Sequence, residues 1–358
     1  MKFKRDYYNP EDSGIGFVAG VVAPQIIIFA LGIILVIVAA IAGVTYNEII
    51  TTAPALFISA ALAELSFYFV YLIITKARRI NGVKAAWLNK GVNFKTVAVL
   101  ICLGAAMTVL FSPIIGILDY VISLTGYELA GLNLPLDNFG YYLLAVLLMA
   151  ALPAFCEEFL FRGIILNGLR KYGMWASVLI SALCFMLMHG NIQQTAYTFF
   201  LGIMLGYVVY KTRSLWAGII LHFVNNFIVI TFMYLHEIGV LEAEVMTSVS
   251  WADAGYAVGA MIIGAGAVWL AVWLIKKWNT PSVTASVSGD GFKRSSPMDK
   301  TSAEGIASPE DVSGESRNDR VPLKDLFKSP FTVLMFAAGL AIGLALWLYN
   351  FIYKAFII

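Results

Sequence analysis

Long apolar runs alternate with short polar connections along most of the chain, and each run approaches the roughly 20 residues that a helix needs to cross a bilayer. They fall near 17–44, 53–75, 96–118, 141–163, 174–190, 193–210, 214–235, 254–275 and 331–353. The pattern predicts an all-α polytopic transmembrane helical bundle, with eight helices in a core at 17–278 and a ninth, C-terminal transmembrane helix within 330–358. A short polar segment, 1–16, precedes the first run. That run is about twice the length of a signal-peptide core and lacks a small-residue cleavage site, so it reads as a retained span. Residues 279–329 turn to Ser, Gly, Pro, Asp, Glu and Lys, with Phe292 and Phe327 the only aromatics. Such a segment cannot bury a core and predicts a disordered linker.

Composition agrees with a bilayer as solvent. Of 358 residues, 60% are hydrophobic and 13% charged, and the mean hydropathy is +0.82. Charge then adds orientation. Lys2, Lys4 and Arg5 precede the first span; Lys76, Arg78, Arg79, Lys84 and Lys90 follow the second. Arg170 and Lys171, Lys211 and Arg213, and Lys276 and Lys277 mark the later alternate connections. The connections between carry Glu48, then Asp119, Glu128 and Asp137, then Glu237, Glu242 and Glu244, with no Lys or Arg. The positive-inside rule predicts a multi-pass cell-membrane protein with a cytoplasmic N-terminus and linker and an outside C-terminus. A net charge of +2, spent on topology, gives no basic groove for nucleic acid.

The cysteines Cys102, Cys156 and Cys184 all fall in apolar spans without metal or redox spacing and read as small core residues. Gly202-x-x-x-Gly206, Gly255-x-x-x-Gly259 and Gly339-x-x-x-Gly343 offer faces for close helix packing.

Polar residues inside spans are where chemistry is expected, since each ionisable group at bilayer depth carries a penalty of roughly 2.5–3.5 kcal/mol. Glu157, Glu158 and Arg162 stand together in the fourth span. Glu158 and Arg162, four apart, share a helix face and can pair, whereas Glu157 is rotated by about 100° and points elsewhere. Pro153 one turn earlier provides a place for a kink. Two of the three histidines, His189 and His222, also lie in or at the end of spans, beside Asn191, Gln193 and Gln194 and beside Asn225 and Asn226. Counted from the hairpin turn near Lys171, Glu157 and His189 are both roughly 22–26 Å along their helices. Counted from the turn near Arg213, Asn226 is almost level with the acids and His222 one to two turns nearer the cytoplasm. Arg162 would then need a water-filled cavity to avoid lipid. Glu64 stands alone in the second span without an evident partner.

Three motifs, E-E-x-x-x-R at Glu157, Glu158 and Arg162, F-x-x-x-H at Phe185 and His189, and H-x-x-x-N at His222 and Asn226, occur in this order. In this the chain resembles the CAAX prenyl protease type II and bacteriocin-processing family of intramembrane proteases, over about residues 90–235. The resemblance implies an eight-helix core with its motifs in 140–235 and a cavity open to the cytoplasm, cleaving peptide bonds of membrane-associated peptides or proteins. It implies that Glu157 is the general base acting with His189, that His222 and Asn226 form the oxyanion hole, and that Glu158 and Arg162 support them. No cofactor is required on this reading. Glu157, His189 and His222 would alternatively suffice for a three-ligand zinc site, although the zincin motif H-E-x-x-H is missing. The alternatives are a membrane scaffold or bacteriocin self-immunity protein that keeps the fold without proteolysis, or a transporter using the same acids and histidines as a proton relay.

Overall fold

The computed structural model describes residues 3–127, 134–241, 251–279 and 321–356. Glu128, Glu242, Glu244 and, from the linker expected at 279–329, residues 280–320 lie outside the described residues. The apolar runs form helices α1 (Pro10–Ala42), α2 (Ala53–Ala77), α3 (Phe94–Ser123), α4 (Phe139–Tyr172), α5 (Met174–His189), α6 (Ile192–Thr212), α7 (Leu215–Glu237), α8 (Trp251–Asn279) and α9 (Pro330–Phe356). Eight of these are long and apolar enough to cross a membrane by length and composition; α5 is the shorter exception. The protein is thus an all-α, multi-pass helical bundle.

The ends of the helices follow local chemistry. α1 opens at Pro10, about two turns before the apolar run, because Asn9 and Asp12 form a reciprocal capping box. The Asp12 carboxylate also pairs with Arg5 at 2.6 Å and Arg78 at 3.5 Å. α5 ends where Gly190 adopts the left-handed conformation, φ +57°. α6 begins at once because Asn191 caps it, accepting from the Gln193 amide.

α4 is not a uniform helix. Its α-helical centre, Leu152–Glu158, is flanked by π-helical stretches at Val146–Ala151 and Phe159–Leu166. Wide turns of this kind leave backbone carbonyls in need of partners, and such groups must be satisfied at membrane depth. Ser181 Oγ donates to the Phe161 carbonyl at 3.0 Å, Asn167 Nδ2 to that of Arg162 at 2.9 Å, and Ser13 Oγ to that of Ile165 at 3.0 Å. α4 is thereby fixed from α1, from α5 and from its own last turns. On its other flank Tyr68 and Tyr71 of α2 pack against Phe155 and Phe159.

Close packing uses two of the three glycine pairs anticipated. A Cβ on Gly202 would sit 3.0 Å from Ala182, and one on Gly206 3.2 Å from Val178, so α6 lies directly on α5. Gly339 faces the Phe17 ring and Gly343 faces Leu187, which seats α9 between α1 and α5. Gly255 and Gly259, by contrast, meet nothing within 4 Å among the described residues, and it is Gly264 that brings α8 against Leu110 of α3. The glycine that packs lies five to nine residues beyond the expected pair and on another face of α8, since spacing alone does not say which face meets a neighbour. Cys156 and Cys184 are buried, as small core residues are, and Cys102 is exposed.

Candidate active site

α4, α5 and α7 carry the three motifs, and they converge. Glu158 and Arg162 are both fully buried and form the pair their i, i+4 spacing predicts, Nη1 to Oε1 at 2.6 Å. Arg162 Nη2 also donates to the Gly202 carbonyl at 3.1 Å, and its guanidinium lies 4.6 Å over the Phe185 ring. Arg162 thus needs no water-filled cavity, because protein surrounds it on every side. This corrects the expectation from depth counting.

The second correction concerns His222. Its Nδ1 donates to Glu158 Oε1 at 3.1 Å, and its Nε2 lies 3.8 Å from Glu157 Oε2. It therefore stands level with both acids rather than one or two turns away. α7 starts deeper than the α4–α5 turn, with the Leu215 amide donating to the Trp87 carbonyl and Ser214 Oγ to that of Lys90. Residue counts from different turns had no common zero.

Glu157 points away from the Glu158–Arg162 pair and lines a cavity of about 570 Å³. His189, His222, Asn225 and Asn226 line the same space, with apolar walls from residues such as Phe111, Met149, Leu201 and Ile230. Glu157 Oε2 is buried without a hydrogen-bond partner among the described residues. His189 Nδ1 donates to the Phe185 carbonyl at 2.9 Å, so in the neutral ring Nε2 carries the lone pair. Phe185 explains why its motif pairs an aromatic with a histidine. Its ring meets Phe161 at 5.1 Å, His189 at 4.7 Å and His222 at 5.9 Å, all edge to face, and the cation of Arg162 besides. Asn225 accepts from the Tyr197 hydroxyl and donates to Asn226 Oδ1 at 3.2 Å, leaving the Asn226 amide N–H groups for another acceptor.

Three contributors were not assigned a place in the site from the sequence. Glu64 of α2 is not isolated; it lines the cavity and its carboxyl meets that of Glu157. In the sequence it was visible only as an intramembrane acid without an evident partner. Asn225 was visible only as a neighbour of Asn226. Gly218 left no signal at all: a Cβ there would lie 2.6 Å from Glu158 Oε2 and from Val209. Gly218→Ala is expected to destabilise the bundle by roughly 1–3 kcal/mol through overpacking and to displace Glu158. Unfolding of the purified variant in detergent checks this, and unchanged stability would mean that α7 lies farther from Glu158 than described.

Among the described residues no three His, Cys, Asp or Glu side chains are grouped as metal ligands. Glu157, His189 and His222 line one cavity without being drawn together as a ligand set, and the steps below are written without a metal.

The fold and site define an intramembrane helical bundle with an acid–histidine–asparagine cavity. Residues 139–228, which hold all three motifs, match the family model described as type II CAAX prenyl endopeptidase Rce1-like. No curated protein and no solved structure gave a significant match.

Proposed function

We propose that the protein is an intramembrane endopeptidase that hydrolyses peptide bonds of membrane-associated peptides or proteins. Water held between Glu157 and His189 gives a proton to the Glu157 carboxylate as its oxygen attacks the scissile carbonyl carbon. Asn226 Nδ2 and His222 Nε2 donate to the carbonyl oxygen as it becomes negative. Because His222 Nδ1–H is engaged by Glu158, Nε2 donates only in the doubly protonated ring. As the C–N bond breaks, the proton on Glu157 passes to the leaving nitrogen, giving a new carboxyl and a new amine. Glu158 and Arg162 are positioning residues, the first holding the His222 ring and the second holding Glu158.

The observation that carries this reading is that Glu157, His189, His222 and Asn226, drawn from three helices, line one cavity. Its walls are largely apolar, and Thr108, Ser112 and Thr198 supply polar groups along them. That suits an extended apolar peptide whose backbone needs hydrogen bonds.

The test is cleavage of a peptide library by the purified protein in detergent, with Glu157→Ala, His189→Ala and His222→Ala alongside and a chelator in parallel. Cleavage by the wild type, lost in all three variants and indifferent to chelator, is expected. A wild type that cleaves nothing across a broad library would favour a scaffold or immunity protein. Proton flux in liposomes dependent on Glu157 would favour a transporter, and chelator inhibition reversed by zinc would overturn the metal-free mechanism.

A further inference from the structure

The two ends of the bundle are built differently. At the end that carries the basic connections, the chain closes on itself. Lys4 N donates to the Arg79 carbonyl and Asn81 N to that of Arg5, joining the N-terminal segment to the α2–α3 connection. That connection in turn accepts from Leu215 N, Ser214 Oγ and the Trp216 indole at the start of α7, through the carbonyls of Trp87, Lys90 and Leu88. Val321 N donates to the Lys171 carbonyl. Beneath these bonds Ile80, Ala85, Ala86, Leu169 and Leu215 are at most 1% exposed. The basic end is a sealed floor.

The cavity is lined from mid-helix on α2 and α4, and toward the other end on α3, α5, α6 and α7. α3 runs away from the floor, and its lining residues Thr108 to Ile115 belong to its distal half. On α7, which also rises from the floor, the lining runs on from His222 to Met233. α6 descends toward Lys211 and Arg213, and it contributes only its first turns, Gln194 to Leu201. Exposure follows the same gradient. Glu157, His222 and Asn225 at the bottom are buried, whereas Ser112, Gln194 and Phe232, which lie farther from the floor, are exposed. Among the described residues the only Lys or Arg at this distal end is Lys354, set over the Tyr127 ring.

We infer that the active-site cavity opens on the face opposite the basic connections, which the positive-inside rule places outside the cytoplasm, so that substrate enters from the extracytoplasmic side. This reverses the cytoplasmic access implied by the family resemblance. Its substrate class is an extracytoplasmic or outer-leaflet peptide segment with apolar side chains; that part rests on the protease reading, whereas the direction of access does not. The exposed mouth combines Gln194 and Ser112 with Phe232 and Val229, a polar and an apolar rim suited to a peptide lying against the membrane.

The test uses the full chain with the exposed Cys102 replaced, Cys102→Ala, so that the remaining native cysteines are buried. Ser112→Cys and, separately, Gln194→Cys report on the cavity, and Lys84→Cys reports on the floor. A membrane-impermeant thiol reagent is applied to intact cells and to inside-out vesicles. Both cavity cysteines are expected to react in intact cells and not in inside-out vesicles, with the opposite result for Lys84→Cys. Cavity cysteines that react only from the side on which Lys84→Cys reacts, or from neither side, would overturn the direction of opening. Reversal of all three would overturn extracytoplasmic access. Labelling requires no turnover, so failure of the protease reading would appear separately, as an impermeant peptide left uncut by vesicles of either orientation.

Discussion

Arg162→Ala is expected to destabilise the bundle by about 3–5 kcal/mol, the range for removing one partner of a buried ion pair. Glu158 is fully buried and its Oε1 accepts from both Arg162 and His222, while its Oε2 has no hydrogen-bond partner among the described residues. Without the guanidinium that carboxylate would be left in an apolar surround with only the imidazole beside it. The Gly202 carbonyl would lose its side-chain donor and the Phe185 ring its cation as well. Arg162→Lys keeps the charge but not the planar fork, and should recover only part of the loss. The double variant Glu158→Gln with Arg162→Met removes both charges, so it should be more stable than Arg162→Ala and still inactive, because His222 loses the carboxylate that supports its doubly protonated ring. Reversible unfolding of the purified variants measures each. A loss below about 0.5 kcal/mol for Arg162→Ala, the usual size for surface substitutions, would mean that the pair is solvated.

Much of this arrangement was legible in the chain. The nine apolar runs became helices because length and hydropathy suffice where the solvent is lipid. The Glu158–Arg162 pair followed from helical phase, as did the separate direction of Glu157. What was hidden has a common physical cause: it depends on how helices are offset along and around their axes. The deep start of α7 brought His222 to the acids although residue counting put it elsewhere. Glu64 seemed partnerless until α2 lay against α4, and Gly264 rather than Gly255 or Gly259 met α3 because rotation about α8 is not written in glycine spacing. The role of Phe185 was visible only as a motif letter, since its importance is the number of groups its ring meets. The widening of α4 by π-helical turns on either side of Glu157 left no sequence signal beyond Pro153.

Glu157→Gln separates chemistry from architecture. The substitution conserves volume, and Glu157 Oε2 has no hydrogen-bond partner among the described residues to lose. Removing a charge from a buried position does not itself weaken the fold. Yet glutamine cannot accept the proton of the attacking water, so kcat/KM should fall by roughly 10²–10⁴, the contribution of a positioned general base. Glu158→Gln, one residue away, should behave differently and lose stability together with activity, because it leaves the buried Arg162 cation without a counter-charge and His222 without its carboxylate. The decisive measurement is therefore kcat/KM for a cleaved peptide with wild type and Glu157→Gln, at equal concentrations of protein shown by unfolding to be equally stable. The account predicts a fall of at least about 100-fold with unfolding unchanged; a folded Glu157→Gln that cleaves at the wild-type rate would contradict it.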